Sequence, residues 1–444
     1  MTKNILQRGL ENIHTPFASF IGAQTTSSLI LFFSTIIALW WANSGYAASY
    51  VNLVHTPIGI ILGDLQVTVS LKHIINDGLM VVFFFLLGLE IKREVLVGDL
   101  AQAKNRRMLI FCALGGMVLP ALIYALFNYS LDSQAGWGIP MATDTAFALG
   151  VLTLVRKHIP TSLLAFIVGL AIVDDIGAIL VIAIFYTEQI AILHLTLAFA
   201  LVAFLALANY AGVRHALFYI LVSLVIWLLM LNSGVHATVA GVAIALTVPA
   251  RPKKSAEKLL DKAQAKIQRL QKNQQDVDVL ASKKAHEQVL EVRDVAEGAS
   301  TPLRRWEDAL SLPVSLFILP LFALTNAGVV VNMNSFIDSM TQPIGAGIIA
   351  GLVLGKFFGI SCACWLVLRF KLGCLPKGVN FQHVIGASLI TGIGFTMSTF
   401  IATLGFSQQA EQLQYAKTAI LIASVLAALL GCLYLRLIAA KTKQ

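Results

Sequence analysis

The stretch FIVGLAIVDDIGAILVIAIFY runs from Phe166 to Tyr186 and is long enough to cross a lipid bilayer, which needs about 20 mostly apolar residues. Two adjacent aspartates, Asp174 and Asp175, lie in its middle. An ionised carboxylate at that depth costs at least about 3 kcal/mol, and two neighbouring carboxylates also repel each other. Buried carboxylates are natural binding groups for a proton, a small hard cation, or each in turn. The stretch therefore predicts a membrane protein with an ion site at Asp174 and Asp175.

The composition of the whole chain supports an all-α polytopic membrane protein. Hydrophobic residues make up 57% of the 444 residues, charged residues only 12%, and the mean hydropathy is +0.80. An ordinary soluble chain is about 25% charged. The cysteines show no CxxC spacing and lie in or beside apolar runs, so we interpret them as packing residues rather than metal ligands or disulfides. They are Cys112, Cys362, Cys364, Cys374 and Cys432.

Twelve candidate spans follow from the apolar runs, and the basic residues between them predict their orientation. Of the 32 basic residues, 29 fall on one side of the predicted membrane, Lys356 lies inside a span, and Lys72 and Lys417 fall on the other side. Because basic residues concentrate on the cytoplasmic side, both termini are expected there. The net charge of +9 thus reflects orientation and does not indicate nucleic-acid binding. The predicted spans are residues 25–43, 73–95, 107–128, 136–155, 161–186, 190–210, 214–231, 234–250, 311–331, 343–369, 381–404 and 415–438.

Two segments depart from the span pattern. Ile58–Leu62 and Leu65–Ser70 flank Gly63-Asp64, which predicts an external β-hairpin at about residues 58–70, with an irregular loop as the alternative. Residues 251–304 form a charged cytoplasmic insertion between spans 1–8 (residues 1–250) and spans 9–12 (residues 305–444). Its charged run, Arg251–Ala299, fits a helical hairpin, a short coiled coil or an irregular insertion.

Ionisable residues inside membrane spans are rare and mark candidate sites. Besides Asp174 and Asp175, the predicted spans contain Asp77, Asp144 and Lys356. Lys356 is the expected charge partner of one aspartate, either within the ion site or as a structural ion pair that joins two helices. Since one lysine cannot neutralise two adjacent aspartates, we assign the aspartate pair to function.

Two spans carry helix-breaking residues at membrane depth. The stretch GWGIPMATDTAFALG, Gly136–Gly150, contains Pro140, which lacks a backbone donor, and Thr143 and Asp144, which can bond to backbone groups instead. The stretch ITGIGFTMSTF, Ile390–Phe400, is interrupted similarly. Either could be a kinked helix used only for close packing, but two interrupted spans in corresponding halves indicate inverted repeats with a binding site at the midplane.

A charge cluster is expected at the cytoplasmic end of span two, where GLEIKREVL places Glu90, Lys92, Arg93 and Glu94 within about one helical turn, and Glu307 could join it. The cluster fits a positive-inside anchor or a potential at an ion funnel that responds to pH. His236, near the external end of span eight, fits a packing or capping role or an ion ligand. The chain carries no recognisable catalytic motif, so neither an enzyme nor a cofactor is predicted.

Seven motifs spread over nearly the whole chain resemble those of the NhaA-type sodium/proton antiporters. The resemblance implies twelve helices with two inverted three-helix repeats, whose interrupted helices, spans 4 and 11, cross at the centre. NhaA-type transporters are known examples of inverted repeats with a binding site at the midplane. The chain departs from the family at Arg251–Ala299, which is longer than expected between spans eight and nine. The motifs are LLGLEIKRE, MATDTAFALGVL, GLAIVDDIGAI, SGVHAT, LPLFALTNAG, GLVLGKFFGIS and GIGFTMS.

The resemblance also implies a function, an electrogenic and pH-regulated antiporter of the bacterial inner membrane that exports Na⁺ or Li⁺ and imports more than one H⁺ per cation. Asp175 would be the main site for cation and protons, and Asp174 would take part in exchange and pair with Lys356. Thr143 and Asp144 would lie beside the site, with Asp144 stabilising the crossed helix ends. The hairpin would form the contact of a homodimer, and lipid would be the only other partner. A cation channel or an organic-anion/Na⁺ symporter on a similar broken-helix fold is the alternative. The pH response would involve Glu90, Arg93, Glu94, His236 and Glu307.

Overall fold

The computed structural model describes residues 16–62, 65–187, 190–251, 300–330 and 339–442, together with a few single positions between these ranges. Within them the chain is almost entirely helical, with one short hairpin. The strands are β1 (Pro57–Leu62) and β2 (Leu65–Ser70). The helices are α1 (Pro16–Ala42), α2 (Ala47–His55), α3 (Leu71–Val97), α4 (Ala103–Phe127), α5 (Thr145–Leu154), α6 (Thr161–Phe185), α7 (Ile192–Tyr210), α8 (Ala216–Leu231), α9 (Thr238–Thr247), α10 (Pro302–Asn326), α11 (Pro343–Arg369), α12 (Phe381–Ile390), α13 (Phe395–Gly405) and α14 (Ala410–Thr442).

The described helices are those of a multi-pass membrane protein. Seven of them are long and apolar enough to cross a membrane, and the number rises to nine if each of two bent pairs counts as one span. The bends are 116° between α1 and α2, and 48° between α12 and α13. The helices α5, α8 and α9 are apolar but shorter. The all-α polytopic class is thus confirmed, while twelve spans and inverted repeats stay predictions.

Large apolar side chains on the outside of the bundle fit a lipid environment. On α7, for example, Leu193, Phe199 and Leu207 are all at least half exposed. In hydrocarbon the backbone must satisfy its own hydrogen bonds, and a helix does so within a single segment. The apolar runs of the sequence therefore form helices even where both faces are hydrophobic.

Two pairs of helices pack through glycines, which let their backbones touch. In the antiparallel pair α4 and α11, a side chain on Gly115 would overlap the carbonyl oxygen of Gly359, and a side chain on Gly359 would overlap that of Gly115. In the pair α3 and α9, a Cβ atom on Gly88 would collide with Ala245. Small residues at helix contacts are the usual means of close packing in membranes. These two seams fix the positions of the helices that carry the charged groups described below.

The two segments outside the helical bundle differ in what the structure describes. Strands β1 and β2 pair antiparallel, with Pro57 opposite Ser70 and Leu62 opposite Leu65. The predicted turn Gly63-Asp64 lies outside the described residues. The charged run Arg251–Ala299 also lies outside them apart from single positions, so its fold stays a prediction.

Candidate ion-binding site

Two helix breaks meet inside the bundle. A 3₁₀ helix, Asp132–Met141, ends before three extended residues, and α5 begins at Thr145. Residues 391–394, which begin with a turn, separate α12 from α13. The backbone N–H of Asp144 donates to the carbonyl of Ile393 at 2.7 Å, and the Thr143 hydroxyl lies 3.0 Å from the carbonyl of Thr391. The interrupted stretches of the sequence therefore contact each other at their breaks.

Asp144 caps two helices with one carboxylate. Its Oδ1 accepts from the backbone N–H of Phe147 at 3.0 Å, at the start of α5. Its Oδ2 accepts from the backbone N–H of Thr396 at 2.8 Å and from the Thr396 hydroxyl at 2.5 Å, at the start of α13. Helix N-termini present unsatisfied N–H groups and a partial positive charge. The carboxylate, only 1% exposed, therefore stabilises both N-termini where no water can.

Asp174, on α6, forms an ion pair with Lys356 on α11. The Lys356 Nζ lies 2.7 Å from the Asp174 Oδ2, and both side chains are fully buried. The Thr143 hydroxyl donates to the same Oδ2 at 2.9 Å. Because that hydroxyl has a single hydrogen, it must share it between Asp174 and the carbonyl of Thr391. The ion pair is thus attached directly to the crossing of the broken helices.

The second carboxylate oxygen of Asp174 makes no hydrogen bond to the part of the chain that the structure describes. Among the described residues, no hydrogen-bond partner reaches its buried Oδ1. Buried polar atoms in folded proteins are nearly always hydrogen-bonded, and each exception needs a reason. The bare oxygen is a candidate ligand atom for a proton or a cation.

Lys356 reaches this position because of the local structure of α11. A π-helical turn, Gly351–Gly355, comes directly before it. Such turns interrupt the regular helical bonding and are common at functional sites. On the facing helix α4, Gly116 leaves space beside the apolar stem of the lysine, since a Cβ atom there would lie 3.6 Å from the Lys356 Cδ. The stem therefore packs on α4 while the ammonium group extends to Asp174.

Asp175 has no counter-charge of its own. Its side chain is 5% exposed, and within the described part of the chain its buried Oδ1 has no hydrogen-bond partner. Among the described residues it interacts electrostatically with the carboxylates of Asp174, Glu90 and Asp144, and with one cation, Lys356. Adjacent residues in a helix point about 100° apart, so Asp175 faces away from the contact between Asp174 and Lys356. An uncompensated buried carboxylate of this kind can be stabilised by a proton or by a hard cation.

Four of the five residues expected to respond to pH lie together at one end of α3. Arg93 forms ion pairs with Glu94 and Glu307. Its Nη1 lies 2.7 Å from Glu94 Oε1, and its Nε lies 2.9 Å from Glu307 Oε1. Glu90, one turn earlier on α3, interacts electrostatically with all three. Glu307 belongs to α10, so this cluster ties α3 to α10.

The fifth, His236, lies elsewhere. It lies just before the start of α9, and its Nε2 is 2.5 Å from the carbonyl oxygen of Tyr186. The opposite end of α9 contacts Lys92, the neighbour of Arg93, and a ten-residue helix spans about 15 Å. Asp77, the remaining predicted intramembrane aspartate, lies 3.0 Å from His73 Nδ1 and outside the site around Asp174.

Sequence reasoning missed the contacts that Thr396, Thr391 and Lys92 make between helices. Thr396 donates twice to Asp144, and the carbonyl of Thr391 receives the Thr143 hydroxyl. Lys92 places its ammonium nitrogen 2.6 Å from the carbonyls of both Leu246 and Val248, at the C-terminus of α9. The sequence offered one signal for Thr396, a threonine two residues beyond the Gly-Ile-Gly break of span eleven. No signal in the sequence indicated that Lys92 caps the C-terminus of a distant helix.

Comparison with known proteins gives a consistent result over the full length of the chain. The Na⁺/H⁺ antiporter 1 family matches residues 18–435. A Na⁺/H⁺ antiporter NhaA 1 of Shewanella denitrificans is 69% identical, with 99% of this chain and 98% of the relative covered. A Na⁺/H⁺ antiporter NhaA 2 of Psychromonas ingrahamii is 66% identical over 99% of this chain and 92% of its own length. A Na⁺/H⁺ antiporter NhaA of Sulfurimonas denitrificans is 44% identical over 98% of both chains.

Proposed function

Since the chain belongs to the NhaA-type Na⁺/H⁺ antiporter family, we propose that it exports Na⁺ in exchange for H⁺ at the site formed by Asp174 and Asp175. Sodium/proton antiport by a multi-pass bacterial membrane protein follows from the family. Transport of Li⁺, net charge movement and regulation by pH are further parts of the proposal.

The unpartnered carboxylate oxygens carry this proposal. Oδ1 of Asp174 and Oδ1 of Asp175 are both buried and have no hydrogen-bond partner in the described residues. Na⁺ and Li⁺ are hard cations that prefer oxygen ligands, and a proton binds the same atoms. Cation and proton therefore compete for the same oxygens. This competition is what an antiporter needs, because a carboxylate that has bound one ion cannot carry the other at the same time.

Two carboxylates at one site support exchange of more than one H⁺ per cation. Two protons neutralise two carboxylates, whereas one Na⁺ supplies a single charge. Lys356 already compensates part of the charge of Asp174, so Asp175 is the stronger candidate for the main cation site. Such an exchange is electrogenic and is driven by the inward proton gradient, without ATP.

The crossing of the broken helices supports alternating access to this site. Thr143 links the break before α5 to Asp174, and Asp144 links α5 to α13. A displacement of either broken helix would therefore change the surroundings of the ion pair. Discontinuous helices around a midplane site are a recurring arrangement in secondary transporters. We expect the site to open to one side of the membrane at a time.

The remaining parts of the proposal concern regulation and assembly. The cluster of Glu90, Arg93, Glu94 and Glu307 would set the cytoplasmic response to pH, and His236 would act at the other end of α9. The hairpin of β1 and β2 would form the contact of a homodimer. Both termini would lie in the cytoplasm of a bacterial inner membrane, with twelve spans and two inverted repeats.

Na⁺-driven proton flux in proteoliposomes tests the proposal, scanned over pH and over Na⁺, Li⁺ and K⁺. Asp175→Asn keeps the side-chain volume but cannot exchange a proton for a cation, so we expect flux to fall to background while folding and insertion persist. Asp132→Asn is the matched control, because it makes the same change at an exposed aspartate. Substantial flux in Asp175→Asn would contradict the central assignment.

The same vesicles separate the antiporter from the alternatives. A cation channel would conduct Na⁺ without moving protons, and an organic-anion symporter would need an organic substrate for Na⁺ uptake. The aspartate pair with one intramembrane lysine favours Na⁺/H⁺ exchange, since its carboxylates can bind either Na⁺ or H⁺.

A further inference from the structure

Two cysteines from distant parts of the chain face each other across the seam of α4 and α11. The glycine contacts fix an antiparallel register, in which Gly115 meets Gly359 and Gly355 meets Pro120. The same register, with a Cβ on Gly115 also meeting Ala363, places Cys112 on α4 opposite Cys364 on α11, and the two thiols interact electrostatically. Both residues are fully buried. This pair could not be predicted from sequence, because 251 intervening residues separate its members.

A third sulfur adjoins the pair. The Met108 Sδ lies 3.7 Å from the Cys112 Sγ, one helical turn away on α4, and Met108 is 1% exposed. Two thiols and a thioether are thus gathered in one dry, apolar place. The oxygen-rich surroundings of Asp174 and Asp175 offer Na⁺ a site, whereas these sulfurs do not suit a hard cation.

A small surface cavity borders this sulfur cluster at Met108. Met108 forms part of its lining, together with Asn105 and Cys374. Cys374 is exposed, and its Sγ lies 3.9 Å from the Asn105 Oδ1. The cavity lies on the side of the molecule that carries Lys104 and Lys377, which the proposed orientation assigns to the cytoplasm. Cys374 and Met108 thus line one cavity, and Met108 in turn contacts Cys112.

We propose that Cys112 and Cys364, assisted by Met108, form a buried site for a thiophilic cation of the class of Cu(I), Ag(I) and Hg(II), loaded through the cavity at Cys374. Soft thiolate and thioether ligands select such ions. With Hg(II), the two S–H bonds break and two S–Hg bonds form, so one neutral bis-thiolate complex and two released protons result. The protons leave because the thiolate, not the thiol, is the ligand.

Occupancy of this site should impair transport, a consequence that rests on the proposed function. Cys364 lies eight residues beyond Lys356 on α11, which corresponds to about 12 Å along the helix. An ion that fixes the spacing of the two sulfurs also fixes α11 against α4 close to the pair of Lys356 and Asp174. The binding site itself does not depend on antiport and is tested separately.

The binding test uses a variant that retains only the buried pair, Cys362→Ser/Cys374→Ser/Cys432→Ser. Purified in detergent, it is incubated with HgCl₂, washed with excess 2-mercaptoethanol and weighed by native mass spectrometry. A monothiol removes Hg(II) from a single cysteine but competes poorly with two thiols held together. We expect one Hg(II) to be retained per chain, and none after the additional change Cys112→Ala or Cys364→Ala. Loss of the ion from the two-cysteine variant at the same rate as from the single-cysteine variants would overturn the site.

The loading route has its own test. Restoring Cys374 to the two-cysteine variant should speed loading several-fold, and Met108→Leu, which conserves volume, should slow it. Equal loading rates in all three would refute the route. In proteoliposomes, Hg(II) should abolish Na⁺-driven proton flux of the two-cysteine variant, with recovery after dithiothreitol. Retained Hg(II) with undiminished flux would overturn the inhibitory effect, whereas absent flux before Hg(II) would count against the proposed function.

Discussion

Replacing Lys356 by alanine should destabilise the protein by leaving a buried charge unpaired. The Asp174 carboxylate would keep only the Thr143 hydroxyl, which it already shares with the carbonyl of Thr391. Both members of the ion pair are fully buried, so water cannot replace the ammonium group. Removal of one partner from a buried pair typically costs about 3–5 kcal/mol. We expect a loss of that size in the free energy of unfolding, and a loss of Na⁺/H⁺ exchange with it.

The size of this loss should depend on pH in a defined direction. A proton can neutralise Asp174 in place of the lysine, and protonation becomes easier as the pH falls. The destabilisation of Lys356→Ala should therefore be largest at high pH, where the carboxylate stays ionised, and should shrink on acidification. Lys356→Arg, which keeps the charge, should be milder than Lys356→Ala at every pH.

Thermal unfolding in detergent, followed by intrinsic fluorescence, provides the measurement. The double variant Asp174→Ala/Lys356→Ala should be more stable than Lys356→Ala, because it removes both charges, and pairs so removed are often nearly neutral for stability. Lys377→Ala is the control, since Lys377 is exposed. Equal melting temperatures for the parent protein and Lys356→Ala across the pH range, or a double variant no better than the single one, would refute the reasoning.

Three further predictions follow from other parts of the fold. Asp144→Ala should lower the free energy of unfolding by about 2 kcal/mol or more, since it removes two helix caps worth about 1 kcal/mol each. Thr396→Val removes only the hydroxyl bond to Asp144 and should cost roughly half as much free energy of unfolding in the same melting assay. An Asp144→Ala protein as stable as the parent would contradict the double cap. Deletion of Gly59–Val67 should shift size-exclusion profiles toward the monomer while proton exchange per protomer persists, and an unchanged dimer would remove the hairpin from the interface. Replacement of Arg251–Ala299 by a short Gly/Ser linker should preserve exchange and cation preference in proteoliposomes and shift the pH profile by at most a fraction of a unit, because surface charges are screened over about 8 Å. A stable, correctly inserted variant without any activity would show that the run belongs to the transport machinery.

The positions of the helices were largely predictable from sequence, because apolar length alone indicates a span. The breaks were predictable as well, since Pro140, Thr143 and Asp144 stand out at membrane depth. The count of spans was less secure. Helices α5, α8 and α9 are shorter than a full span, and hydropathy does not reveal how such segments combine.

The contacts between helices could not be predicted in the same way. A helix in lipid is apolar on all faces, so its sequence has no amphipathic stripe to show which side meets a neighbour. The partner of Lys356 could therefore be narrowed to an aspartate, but the choice of Asp174 required the structure. The double role of Asp144 and the pairing of Cys112 with Cys364 depend on the register between helices far apart in the chain. Glycines such as Gly115 set that register because they let the two backbones approach closely. The sequence alone does not show which of the many small residues in a span lie at such a contact.

The shared cap at Asp144 has a mechanical consequence. Sliding α5 past α13 would strand the N–H groups of Phe147 and Thr396 in hydrocarbon at the same moment, because one carboxylate serves both. Buried donors without partners are costly, so the two half-helices should travel as a single rigid part. Spin labels on α5 and α13 should accordingly keep one fixed separation throughout the transport cycle, while distances from either helix to α3 change. The two broken helices would then move together at their crossing, not independently of each other.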